Sequence, residues 1–497
     1  MSTLFTCSRI RFAPLLLSLA VAAGCASTHG LAPQGRLTDT DTLQAQASLS
    51  PVRVSDAAFP TQDWWKALGD PQLDALVSEA LQGTPSLQAA DARVRQAQAQ
   101  AGIADVARKP DVSASAQVSA VQLPETLAPA PIGGELNTSG VVMLNFAWAP
   151  DLWGGQRARY EAAVGQLRAA EVDAQAARLM LAANIARTYV ALAQAHDALA
   201  VADSEAARND SLLALGKQRV AAGLDNQMQL RQAESGIASA RQEAQAAQQQ
   251  IDALRNALAA LLGKGPDRGL QITAPQLLDA PAPRIPDVMP SELLGHRPDV
   301  VAARWQVEAT ARGVNATQAT FKPSINLSAI VGLAAPGLGD LFSSEALLGF
   351  GGPALSLPIF QGERLRANLA KSNADYDLAV ANYNQSLVTA LREVADAAQS
   401  AHSLDAQVVS STQARDAAAK AFDLARMRYR AGLGTQLDVL AAQRPLLQLD
   451  QQLAALRAQR YAAAIDLDRA LGGGLALQAP ATASHLPSSD ITRSATP

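Results

Sequence analysis

Five histidines, His29, His196, His296, His402 and His485, are the side chains best suited to acid–base or metal chemistry near neutral pH, and they are scattered along the chain. None stands in a His-Glu-x-x-His pattern, and no glycine-rich phosphate loop is present, so zinc hydrolysis and nucleotide binding both lack their residue sets. His196 and His402 fall inside long helical segments, where a surface or helix-seam position suits them better than a ligand role. The sequence predicts no enzyme activity, no metal and no bound cofactor. A net charge of -4, with arginines spread among acids, offers no basic face for nucleic acid.

The remaining reactive group is a thiol. Arg9 and Arg11 precede an apolar stretch from Phe12 to Ala23, the length of a signal-peptide core and too short for a membrane span. That stretch ends in Val21-Ala22-Ala23-Gly24-Cys25, which resembles the lipobox at which bacterial lipoproteins are cut and acylated. The resemblance implies a signal peptide over 1–24 and a covalent lipid on Cys25. Cys7 would be lost with the signal, leaving one cysteine, which cannot form an internal disulfide. Ala26 stands where such lipoproteins often carry an aspartate for inner-membrane retention, which implies sorting to the outer membrane. Residues 25–63 are rich in Thr, Ser, Ala, Pro and Gln without periodicity and are expected to be a tether. Residues 476–497 are expected to be a flexible tail.

Between these ends the chain repeats itself. Thr84-Pro85-Ser86-Leu87 returns as Arg297-Pro298-Asp299-Val300, and Lys109-Pro110 returns as Lys322-Pro323, both 213 residues on. Arg219 to Gly223 returns as Arg428 to Gly432, and Leu262-Gly263 as Leu471-Gly472, both 209 on. A constant offset with one slip of four implies two copies of a unit, over 64–284 and 285–475. In each copy apolar residues recur at three, four and seven: Tyr160, Val164, Leu167, Ala174 and Leu181 in the first, Leu369, Tyr376, Val380 and Tyr383 in the second. The run from Gln156 to Ala222 would extend about 100 Å as one helix at 1.5 Å per residue. Ala222-Gly223-Leu224 and Ala431-Gly432-Leu433 end the long runs with a glycine suited to a helix C-terminus and predict the tips of helical hairpins.

After each Lys-Pro the period changes. Val112, Ala114, Ala116, Val118 and Ala120 alternate with Ser113, Ser115, Gln117 and Ser119, which is strand periodicity. Turn-rich segments at 123–136 and 334–352 predict one β-hairpin per copy, near 111–150 and 324–360. Four strands with two open edges would leave unpaired backbone groups in a membrane, and closure by several copies of the chain removes those edges.

Trp64-Trp65, Leu68-Gly69-Asp70-Pro71, Ala149-Pro150-Asp151-Leu152-Trp153-Gly154, Arg297-Pro298-Asp299-Val300, Pro358-Ile359-Phe360-Gln361-Gly362, Glu393-Val394-Ala395-Asp396 and Leu437-Asp438-Val439-Leu440 with Gln443 follow in order. Together they resemble the TolC-like outer-membrane factors, in particular the acylated NodT-like efflux lipoproteins. The resemblance implies a mainly α fold with a small membrane β part: a homotrimer with a twelve-stranded β-barrel, four strands per chain, above a long α-barrel. It implies an outer-membrane duct exporting drugs or other small molecules, with a periplasmic adaptor protein, an inner-membrane efflux transporter and outer-membrane lipid as partners. It places Gly223, Leu224, Gly432 and Leu433 at the adaptor contact, and Asp438 and Arg444 at the periplasmic aperture. Ala441 and Gln229 stand where relatives often carry further acids. A metal-ion or type I secretion channel shares the same architecture. A structural coiled-coil lipoprotein would account for the helices and Cys25 but not for the hairpins.

Overall fold

A computed structural model describes residues 27–39, 42–43, 54–55, 59–127, 129, 133–277, 285–286, 293–358 and 360–474. The expected signal peptide, Cys25 and the tail over 476–497 lie outside the described residues. After α1 (Pro71–Leu81), one order of elements occurs twice: α2 (Pro85–Val106), β1 (Asp111–Gln122), β2 (Leu136–Trp148), α3 (Gly155–Ala221) and α4 (Gln227–Leu261), then α5 (Pro298–Ala319), β3 (Ser324–Ala335), β4 (Leu347–Ser356), α6 (Gly362–Arg430) and α7 (Gln436–Ala470). The long helices have 67 and 69 residues, and α3 matches the expected run from Gln156 to Ala222 to within one residue at each end.

Polar caps set the helix starts. Asp151 accepts the backbone N–H of Gln156 at 3.0 Å and of Arg157 at 2.7 Å at the head of α3. Reciprocal capping boxes, Asn226 with Gln229 and Thr435 with Asp438, open α4 and α7. The residues group into two compact units, one of 91–171 and 302–385 with the N-terminal segment, the other of 39–90, 172–301 and 386–474.

The first unit holds an antiparallel sheet in the order β1-β2-β3-β4. Its register sets Val112 opposite Phe146, Ala114 opposite Leu144 and Ala116 opposite Val142, and carries Leu144 on to Val331. Because side chains alternate across a strand, this gives one apolar face of Val, Leu, Phe and Ala. The other face is mixed, carrying Ser113, Ser115, Gln117, Ser139, Asn145, Asn326 and Ser328 together with Val141, Met143, Ile330, Leu348 and Phe350. Strands β1 and β4 each pair on one side only, and β4 is exposed along its whole length.

Within the stretch expected as a tether, residues 27–38 are held along α6. The Asp377 carboxylate accepts the N–H of Gln34 at 2.8 Å and of Gly35 at 2.6 Å. The Asn384 amide accepts from Thr38 and donates to the carbonyl of Arg36, both at 2.9 Å, as a neighbouring strand would.

In the second unit, Trp64, Trp65, Leu73, Leu76, Ile185 and Ile251 pack in one core. Buried Asp70 caps α1 through Gln72 and accepts the Tyr189 hydroxyl and the Gln276 N–H, both at 2.7 Å, so one carboxylate fastens three segments. The repeated Leu-Gly pairs do the same work in each copy. A Cβ on Gly263 would lie 2.6 Å from Pro85 Cδ, and one on Gly472 would lie 2.1 Å from the carbonyl oxygen of His296. Each glycine seats the head of its copy's first helix. Beside the second seat Arg297, 4% exposed, donates to Asp299 at 2.7 and 3.0 Å, to Glu393 at 3.0 Å and to the carbonyl of Ala470 at 3.1 Å. This explains why Arg297-Pro298-Asp299 and Glu393 stand together as motifs: a guanidinium this buried needs its full set of acceptors.

Candidate functional site: the paired helix turns

Both long helices end in the same way. Gly223 has φ +72° and Gly432 φ +76°, a left-handed conformation that side-chain-bearing residues rarely adopt. The N–H of Leu224 reaches back to the carbonyl of Arg219, and that of Leu433 to the carbonyl of Arg428, both at 2.9 Å, closing a Schellman turn in each copy. Leu224 and Leu433 are 63% and 71% exposed. The predicted tip residues Gly223, Leu224, Gly432 and Leu433 therefore form two matching turns, each showing an apolar side chain to solvent.

The turns are joined by a polar latch that the sequence reading missed. The Arg219 guanidinium donates to Asp225 at 2.8 Å and to the carbonyl of Tyr429 at 3.1 Å, and lies 4.5 Å from the centre of the Tyr429 ring. The Tyr429 hydroxyl donates to the same Asp225 oxygen. Burial opposes the charge on Asp225, but Arg219 and Tyr429 outweigh it and hold the carboxyl below its ordinary range. Burial, reinforced by Asp225, pushes the buried Tyr429 phenol up to about 12. Leu212, Phe422, Val439 and Leu446 pack with Tyr429 beneath the latch.

Asp438 and Arg444 do not meet. The Asp438 carboxylate accepts the Thr435 N–H at 2.8 Å and the Thr435 hydroxyl at 2.9 Å. These two contacts, with Arg428 nearby, hold its carboxyl below the ordinary range. Arg444 is exposed and makes no ion pair with a described residue. The Thr435-x-x-Asp438 spacing was the available signal for a capping box.

Further along the same helices lies a second missed cluster. Glu205, Asn209 and Gln443 are buried together: the Gln443 amide donates to Glu205 and, at 3.2 Å, to Asn209. Arg208 bonds Glu205 at 2.9 Å, and Asp450 takes Arg208 at 3.5 Å and Arg415 at 2.9 Å. These bonds form in one register only, so the cluster fixes how α3 and α6 slide against α7, although the Gln443 side-chain oxygen is left without a partner. Among the described residues no group of histidine, cysteine or carboxylate side chains is arranged to hold a metal.

Long helices with paired turns, joined to a two-faced sheet with open edges, define an outer-membrane channel subunit. Residues 76–264 and 289–473 match the family described as outer membrane efflux protein, and the chain belongs to that family. It is 38% identical over 371 residues to the fusaric acid resistance protein FusA of Burkholderia cepacia, covering 73% of this chain and 69% of that protein. It is 32% identical over 435 residues to the pyoverdine export outer membrane protein OpmQ of Pseudomonas putida, covering 87% and 92%. Among solved structures, the outer membrane protein VceC of Vibrio cholerae superposes with a TM-score of 0.77 at 38% identity, covering 84% of this chain and 100% of that one. The protein is thus an outer-membrane efflux channel subunit with the TolC-like fold expected from its motifs.

Proposed function

We propose that three copies of this chain close one twelve-stranded barrel over one helical tunnel, forming a passive duct with no catalytic step. The observation that supports this best is the sheet: four strands, two unpaired edges, one predominantly apolar face and one that mixes serine and asparagine with apolar side chains. In a bilayer each unpaired backbone group costs several kcal/mol, and pairing β1 of one copy with β4 of the next removes both edges. The cargo is drugs or other small molecules, in keeping with relatives named for fusaric acid resistance and pyoverdine export.

The paired turns meet a periplasmic adaptor protein, Leu224 and Leu433 supplying apolar contacts at Gly223 and Gly432, and an inner-membrane transporter supplies the energy. Threefold symmetry would turn Asp438 and Arg444 into rings of like charge at the aperture. Cys25 carries a lipid that adds membrane affinity to the barrel.

Cysteine crosslinking tests the closure. A mature chain whose native cysteine is acylated has no competing thiol, so Ala116→Cys on β1 is combined with a series of single cysteines along β4. Oxidation yields covalent trimers at one register if the edges meet, whereas products no larger than a monomer at every position refute the closed barrel. Asp438→Asn raises conductance or weakens block by multivalent cations if the ring exists.

A further inference from the structure

The four strands contain no lysine or arginine, yet every strand–helix junction carries one or more: Arg108 and Lys109 before β1, Arg157 and Arg159 after β2, Lys322 before β3, Arg364 and Arg366 after β4. Four of these seven are engaged. Arg108 and Lys109 share Asp105 at 3.4 and 2.6 Å, Arg157 pairs with Glu161 at 2.8 Å, and Arg366 donates to the carbonyl of Ser27 at 2.6 Å. The other three, Arg159, Lys322 and Arg364, form no ion pair with a described residue, and all three line one groove of about 360 Å³.

Inside it, Arg159 and Arg364 donate only to the neutral side chains of Gln156 and Gln361, and the Lys322 ammonium sits 4.9 Å from the centre of the Trp153 ring. The one carboxylate in the lining, Asp151, already has both oxygens occupied by the N–H groups that it caps. The head of α6 opens into the same groove, adding the positive end of its helix dipole, whereas Asp151 already caps that of α3. Trp153 is 48% exposed and Phe360, next to the lining residue Gln361, is 99% exposed. The opposite end of the sheet is its reverse: its loops carry Glu125, Glu135, Asp340 and Glu345 and no cation.

We infer that this groove holds the phosphate of an anionic glycerophospholipid where the barrel meets the periplasmic leaflet. A phosphodiester offers two equivalent oxygens for the arginine forks and a charge for Lys322. Exposed aromatics at the same level suit the headgroup boundary, and basic pockets at that depth select anionic headgroups. The inference rests on the family's outer-membrane placement and not on the adaptor or aperture assignments.

The test uses the purified full-length protein in phosphatidylcholine nanodiscs with and without phosphatidylglycerol, read by thermal unfolding and by native mass spectrometry of retained lipid. Phosphatidylglycerol raises the native midpoint by roughly 5 °C and is retained in preference to phosphatidylcholine. Lys322→Gln and Arg364→Gln, singly, each reduce that rise, and together they abolish it without changing the midpoint in phosphatidylcholine alone. Arg157→Gln, whose cation is engaged by Glu161, keeps the full rise. An equal rise in the double variant overturns the inference, as does a native protein with no preference for the anionic lipid, a result that needs no variant to fold. A rise reproduced in full by inorganic phosphate alone also overturns it, making the groove a site for a free anion.

Discussion

The turns at Gly223 and Gly432 have the same backbone and different chemistry. Each ends a long helix with a left-handed glycine and the same back-bonded leucine. Only the first contributes the carboxylate of the latch, Asp225, and only the second contributes the phenol, Tyr429; the counterpart of Tyr429 in the first copy is Val220. The helix seats diverge in the same way: Gly263 and Gly472 both admit a close approach, but beside one lies the neutral pair Thr84 and Ser86, and beside the other the buried Arg297 fork. Duplication has kept the residues that dictate backbone geometry and released the polar ones, so the copies became complementary partners instead of equivalents.

The seats give the strongest test of that contrast. Arg297→Ala leaves a buried void and an Ala470 carbonyl without its donor, while Glu393 keeps Arg469 at 3.3 Å, and is expected to cost roughly 2–3 kcal/mol in chemical denaturation. Thr84→Ala, which removes one neutral contact, is expected to cost about 1 kcal/mol; equal losses would break the comparison. At the turns the shared backbone predicts equality: Gly223→Val and Gly432→Val should each cost about 2 kcal/mol, and a marked difference would show that the turns are not equivalent. A double-mutant cycle of Tyr429→Phe with Asp225→Asn should return a coupling of about 1.5 kcal/mol, whereas a coupling near zero would make the latch a mere contact. The caps come last, Asn226→Ala and Thr435→Ala each losing about 1 kcal/mol in a thermal melt.

The latch also has a defined pH window. Asp225 is held below its unfolded value of 3.8, so the stability it contributes is present above that value and is lost as pH falls through the lower folded one. Tyr429 is raised from 10.0 to about 12, so its contribution is present below 10.0 and is lost as pH rises toward 12. Tyr429→Phe should therefore flatten the alkaline limb of the stability profile and leave most of the acid limb.

Much of this was legible in the sequence because it depends on local order. The glycine turns, both long helices and the alternation over 112–120 follow from residue type and spacing, and the 213 and 209 offsets exposed the duplication. The latch was not legible, because Arg219, Asp225 and Tyr429 come together only after the two copies pack, and nothing in the spacing couples residues about 200 positions apart. The contact of Gln443 with Glu205 and Asn209 was hidden for the same reason. Asp438, placed at the aperture by resemblance, also caps its own helix through Thr435, a local role that the three-residue spacing made available. The run over 27–38 has no periodicity of its own because α6 supplies its order, through Asp377 and Asn384.

The central claim is that each chain is one third of a closed conduit. Conductance of the purified protein in planar bilayers, with its oligomeric mass determined in the same detergent, tests it most directly. The account predicts a trimeric mass and discrete ion-conducting steps. A monomeric, non-conducting species would mean that the open strand edges are not joined between copies, and the duct would have to be abandoned.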